Sequence, residues 1–167
     1  QTFRTVAKFD NGSEVVLLHA EAELIDSTRV SSGGLRFDGD AYLTVASDEQ
    51  LNNNFTFEAW INPHTTNGMQ RILGACDSTE SSGFGFGTNG DKLRFTTIGI
   101  KDYDTNTGSI PVNTWTHVAL VFDPYNDAHF YINGDFVQTV YGLEPANSTD
   151  ADLLIGQLGP VPPVLPG

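Results

Sequence analysis

The sequence predicts an all-β protein, a two-sheet antiparallel sandwich or barrel, on three observations. Helical periodicity is nearly absent, and short runs rich in Val, Ile, Phe, Thr and Tyr are cut repeatedly by Gly, Asn and Asp. Two of those runs, FTFEAWIN at 55–62 and WTHVALVFD at 115–123, alternate with the two-residue period of a strand. A third stretch, YINGDFV, places Asn133-Gly134 between two strand-like runs, the strongest short hairpin signal there is.

In chain order, strands are expected at 2–9, 14–20, 35–38, 41–45, 55–62 and 70–76, then at 83–87, 92–98, 115–123, 128–132, 135–141 and 152–156. Strands this numerous, at this spacing, need two packed sheets or a closed barrel to bury their faces. In 55–62, Phe55, Phe57, Ala59 and Ile61 share the core side, and Thr56, Glu58 and Trp60 share the other. In 115–123, Thr116, Val118, Leu120 and Phe122 alternate with Trp115, His117, Ala119 and Val121, so both faces are largely apolar. Central strands with a covered or curved outer face read this way, and Trp60 and Trp115 are accordingly expected to be packing residues. The stretch GQLGPVPPVLPG holds four of the eight prolines, and proline lacks the N–H that a ladder needs. One domain over 1–157 followed by a proline-rich tail or linker over 158–167 is expected.

Composition narrows the function. A chain of 167 residues with 39% hydrophobic and 17% charged residues is a folding composition of about one domain. Its formal net charge of -13 repels phosphate backbones and anionic lipid surfaces, so nucleic-acid binding is not expected, and no apolar run approaches the roughly 20 residues of a membrane span, so membrane insertion is not expected either. It suits cations or neutral partners. The single cysteine, Cys76, sits in the apolar run RILGAC and is expected in the core, with no intrachain partner. His117 and His129 fall inside β-runs, where half-buried sheet histidines are usual.

Several stretches together carry a family resemblance. EVVLLHAE looks like an opening strand, GGLRFDGDAYLTV like a Gly-Phe-Asp-Gly turn with its following strand, FTFEAWINP like an aromatic strand, and TWTHVALVFD with FYINGDFV like a signature hairpin. In this order, over about 14–156, they resemble the laminin-G-like, concanavalin A-like superfamily in its broad bacterial and viral branch. The resemblance implies a jelly roll of two antiparallel sheets, often with one structural calcium ion, used chiefly to bind glycans or proteins. The chain departs from the pattern after DLLIG, where the family's closing strand is replaced by the proline-rich stretch. An unpaired place in the sheet would expose a row of N–H and C=O groups. Residues 2–9, with Phe3, Thr5, Ala7 and Phe9 alternating, are expected to fill it, or else a neighbouring subunit does.

The chemistry points away from catalysis. Glycoside hydrolysis needs two carboxylates roughly 5–10 Å apart. Glu21 and Glu23 would lie on one side of a strand, but at the end of the opening strand and without flanking aromatics. No Gly-x-Ser-x-Gly elbow and no histidine ligand spacing is present. By the resemblance, Glu21 would be one calcium ligand, with Asp26, Asp150 or Asp152 standing in for the partner of the missing strand. A sugar asks for an exposed aromatic beside acids and amides, because a pyranose has an apolar face and a hydroxyl rim. GIKDYDTNTG offers Tyr103 with Asp104 in an expected loop, and His64 and Tyr125 are further loop candidates. The reading is a non-catalytic module for glycan or surface recognition, placed outside the cell or at its surface. The alternative is a structural or decoration protein of a virion, such as a phage capsid or tail fibre, self-associating through sheet edges or tail.

Overall fold

The computed structural model of the chain describes residues 23–25, 29–31, 34–37, 42–45, 54–147 and 149–158. Among them are thirteen strands and no helix. In order these are β1 (Glu23–Ile25), β2 (Arg29–Ser31), β3 (Gly34–Arg36), β4 (Tyr42–Val45), β5 (Phe55–Ile61), β6 (Met69–Cys76) and β7 (Gly83–Asn89). They continue as β8 (Lys92–Thr97), β9 (Lys101–Asp104), β10 (Thr116–Phe122), β11 (Ala128–Ile132), β12 (Asp135–Val140) and β13 (Leu153–Ile155). One sheet has the order β1-β4-β13-β6-β7-β8-β9 and the other β12-β11-β10-β5, while β2 and β3 form a short ribbon. The pairings are antiparallel throughout.

The core fills the space between the two large sheets, and phenylalanine dominates it. Phe55, Phe57, Phe122 and Phe130 project from the four-stranded sheet, and Phe84, Phe86 and Phe95 from the seven-stranded one. Phe55 stacks on Phe122 within its sheet at 5.0 Å, and Phe57 meets Phe84 across the sandwich at 5.3 Å. These offset rings add roughly 1 kcal/mol each beyond their buried area. The alternation in 55–61 and 116–122 is as the sequence indicates, and Cys76 is buried at the end of β6.

Strand β7 shows the sandwich logic most directly. Phe84, Phe86 and Thr88 point into the core, and Gly83, Gly85 and Gly87 face outward. A Cβ on Gly83 would stand 2.0 Å from the Ala75 carbonyl oxygen, and one on Gly87 2.1 Å from that of Gln70. The backbone of β6 therefore passes close to β7 at both ends of their pairing, and its register shifts near the Gly87 end, between Arg71 and Leu73. The hairpin between β11 and β12 turns through Asn133 (φ 53°) and Gly134 (φ 84°), the two left-handed residues of a type I′ turn.

The structure differs from expectation at several places. Strands β1 and β2 were not foreseen, and the stretch 101–104, expected as loop, is strand β9. Residues 2–9 and 14–20, expected as strands, lie outside the described residues. Among those described, β5 pairs on one side only, with β10. β13 lies between β4 and β6, where DLLIG was expected to form a strand. Leu158 packs over Gly74, its Cδ1 2.5 Å from where a Cβ would stand.

Candidate functional site

The outward face of the four-stranded sheet carries the most unusual surface. Pairing register places Trp60 opposite His117, Glu58 opposite Ala119, Ala119 opposite Tyr131, and Tyr131 opposite Phe136. Strand alternation turns all of these away from the core. Trp60 is 64% exposed and Phe136 59%. Trp115, one residue before β10 on the same alternation as His117, is 55% exposed. Exposed aromatics on one face, with polar groups between them, mark an interaction surface.

The rings are held in place by their neighbours. Trp60 lies against the His117 imidazole at 5.4 Å between centroids, and His117 Nε2 lies 3.6 Å from Glu58 Oε2. The His117 N–H donates to Asn133 Oδ1, and the Asn133 N–H donates back to the His117 carbonyl, so the hairpin turn clamps the start of β10. On the other side, Phe136 meets Tyr131 edge-on at 5.8 Å. Ala119, nearly buried, lies between the two aromatic groups as the floor of a shallow trough. The trough runs across four strands, about 14 Å at roughly 4.8 Å per step. Further along, His129 joins Thr139 at 2.8 Å and Asp123 at 3.3 Å, a polar row that ends the aromatic surface.

Of the residues singled out in the sequence, His64 lies just beyond the end of β5, beside the stretch that leads into Trp115. It is exposed in the segment after β5, and its Nδ1 lies 3.0 Å from Asn113 Oδ1. The Asn113 N–H donates to the Pro63 carbonyl, tying that segment to the stretch leading into Trp115. Tyr125 is 81% exposed but stands in the turn after β10, at the opposite end of that strand from His117.

Tyr103 and Asp104 are a correction. Tyr103 is a buried residue of β9, and its hydroxyl accepts the Glu144 N–H at 3.0 Å. Its ring faces the core because it pairs with Phe95, so it offers no free face to a ligand. Asp104 faces outward and is gripped by Arg94, whose Nε and Nη2 donate at 2.5 and 2.6 Å, and by Asn89 Nδ2 at 3.1 Å. The Arg94 guanidinium, and secondarily Asn89, hold the Asp104 carboxyl below the usual carboxylate range. Arg94 also donates to Asp102, and Asp102 accepts from Thr96, to which Arg71 donates. Burial depresses the Arg71 pKa, partly offset by Asp102. This network crosses β6, β8 and β9 and fastens the sheet edge.

Trp60 and Trp115 are the second correction. They were expected to pack and are instead exposed, because the outer face of β5 and β10 has no covering layer among the described residues. Glu58, His117, Tyr131 and Phe136 were not singled out as site residues. The available signal was Trp60 sharing its strand face with Thr56 and Glu58.

For calcium, Glu21 and Asp26 lie outside the described residues, and Asp152 is an exposed residue just before β13. Among the described residues, no three His, Cys, Asp or Glu side chains converge as a metal-binding group, and no helix is long and apolar enough to cross a membrane.

The sandwich places the chain in the class of lectin-like β-sandwich domains. It belongs to the concanavalin A-like lectin/glucanases superfamily, whose family model matches residues 37–161. Among solved structures, the botulinum neurotoxin type G receptor binding domain is similar at a TM-score of 0.63 and 15% identity, covering 91% of this chain and 42% of that one. The Ruminococcus gnavus IT-sialidase CBM40 bound to α2,3 sialyllactose is similar at 0.53 and 12%, covering 62% and 63%. Mouse laminin α1 chain domains LG4-5 are similar at 0.58 and 15%, covering 83% and 39%. The chain thus spans less than half of the neurotoxin and laminin structures, and at these identities the likeness is one of fold. No curated protein matches the sequence.

Proposed function

We propose that the chain is a non-catalytic glycan-recognition module, acting outside the cell or at its surface, and that the outer face of the four-stranded sheet is its binding surface. The observation that carries this is two exposed rings on one sheet face, Trp60 against the half-buried His117 and Phe136 against the half-buried Tyr131. Aromatic faces take the C–H side of a sugar, while Glu58 and His117 stand on the same surface as partners for its hydroxyls. Two of the similar structures, a receptor binding domain and a sialyllactose-bound module, are consistent with a binding role. Covering one exposed ring removes apolar area worth about 1–2 kcal/mol.

A glycan array probed with the wild-type protein and with Trp60→Ala and Tyr125→Ala tests this. Binding is expected for the wild type, a loss of about tenfold or more for Trp60→Ala, equivalent to about 1.4 kcal/mol, and no change for Tyr125→Ala. A silent array, or sugar binding lost with Tyr125 and retained without Trp60, would overturn the assignment.

A further inference from the structure

The charge layout around the trough specifies the chemistry of its occupant. The chain has eight Lys and Arg residues, at 4, 8, 29, 36, 71, 92, 94 and 101. None falls in β5, β10, β11 or β12, in the 62–68 segment beside His64, or in the 111–115 stretch that leads into Trp115. The described cations with placed side chains, Arg71, Lys92, Arg94 and Lys101, belong to β6, β8 and β9 of the other sheet. Arg94 is committed to Asp102 and Asp104, and Lys92 to the Gly108 carbonyl and Asp91.

The formal charges on the four-stranded sheet and its turns are negative. Glu58 stands in the trough, Asp135 begins β12 beside Phe136, and Asp123 and Asp127 hold the turn between β10 and β11. The two histidines of the face are each next to a carboxylate, His117 by Glu58 and His129 by Asp123. An anionic sugar seated here would bring its charge against these carboxylates with no guanidinium or ammonium among the described residues to receive it, inside a chain whose net charge is -13.

The spacing of the rings sets the ligand's size. Trp60 and Phe136 stand on the two outer strands, three inter-strand steps apart and two residues out of line along the strands, or about 16 Å on the diagonal. A single pyranose, about 5 Å long, does not reach both Trp60 and Phe136. A chain crossing the strands on the diagonal covers both and passes the short Ala119 side chain, which lies low between Glu58 and Tyr131.

Building on the glycan-recognition reading, we infer that the occupant is a neutral, extended oligosaccharide of roughly three or more residues, bound across the strands, and that acidic glycans are rejected. This separates the chain from the sialyllactose-bound module that shares its fold.

The test uses the wild-type chain, Trp60→Ala and Phe136→Ala on an array that pairs neutral glycans with their sialylated, sulfated or uronate counterparts at several lengths. Hits are then titrated by calorimetry at low and high salt. Neutral members are expected to bind at least tenfold more tightly than their acidic partners, and affinity should rise about tenfold from one residue to three and then level off. Added salt should leave neutral binding unchanged. Phe136→Ala should abolish the gain with length, while Trp60→Ala weakens every length. Preference for acidic members, with binding still dependent on Trp60, would overturn this inference and leave the glycan-recognition reading standing. Equal affinity for one residue and for three would do the same. Binding to no glycan would overturn both.

Discussion

The outward glycines of β7 allow a sharp test of how the seven-stranded sheet is built, because neighbouring positions of one type should respond very differently. At Gly87 an added Cβ would meet the Gln70 carbonyl oxygen at 2.1 Å and the Arg71 Cα at 3.0 Å, and both atoms are backbone. Gly87→Ala can be accommodated only if β6 and β7 separate at the Arg71–Gly87 pair. Losing about two ladder hydrogen bonds, with the strain around them, costs about 3 kcal/mol. Restricting the unfolded chain returns about 0.5–1 kcal/mol, which leaves a net loss of about 2–3 kcal/mol. At Gly85 the obstacle is the far end of Arg71, with Nη1 at 2.8 Å and Cζ at 3.1 Å, and a flexible side chain can swing away. Gly85→Ala then loses the Arg71–Thr96 hydrogen bond, which the same chain-entropy gain offsets to within about 1 kcal/mol. In urea, a gap of about 2 kcal/mol separates the two midpoints by about 1 M at a typical slope. Far-UV circular dichroism is the appropriate signal, since Trp60 and Trp115 are already 64% and 55% exposed when folded. Arg71→Ala should make the Gly85 substitution stabilising, a coupling that a double-mutant cycle reads directly. Equal midpoints for the two alanine variants would refute the packing described for this strip.

The remaining predictions concern the core, the hairpin and the sheet edge. Phe130→Ala removes a fully buried ring and should cost about 3–5 kcal/mol, read as a lowered urea midpoint. Gly134→Ala meets no atom within 4 Å but keeps a φ of 84°, so it should cost only about 1 kcal/mol through backbone strain and leave the fold intact by circular dichroism. Asp104 is more acidic folded than unfolded because of Arg94. The stability it contributes is therefore complete above about pH 4 and is lost as pH falls through the folded value. Asp104→Asn should lower stability at neutral pH and flatten its decline in acid, measured as thermal midpoints across that range.

What the sequence made readable was whatever depends on alternation along a single strand. Phe55 and Phe57, or Val118 and Leu120, announce their side by period two, and Asn133-Gly134 announces its turn by the rarity of paired left-handed residues. Strand β9 did not announce itself, because Lys-Asp-Tyr-Asp has one apolar residue and two acids, the composition of a loop. It is a strand because Arg94 and Thr96 on β8 receive Asp104 and Asp102 across the ladder. That information lies six to ten residues away in the chain and appears only after register is set. The same limit explains Tyr103, which looked like a loop aromatic flanked by acids until its pairing with Phe95 turned it inward.

The tryptophans fail for a different reason, and it bears on function. Period two tells which residues share a face, but not whether another layer covers that face. An apolar outer row fits a covered sheet and a binding surface equally well in one dimension. The decision comes from what accompanies the rings. A covered face would place aliphatic side chains around Trp60, whereas His117 stands opposite it and Glu58 next to it on the same face, and both would need hydrogen-bond partners if buried. Glu58 meets only the His117 imidazole at 3.6 Å, too long for a good hydrogen bond, and keeps 40% of its side chain in solvent. A carboxylate with unused acceptor capacity beside an uncovered indole is poorly suited to a packing layer and well suited to a ligand that brings its own hydroxyls.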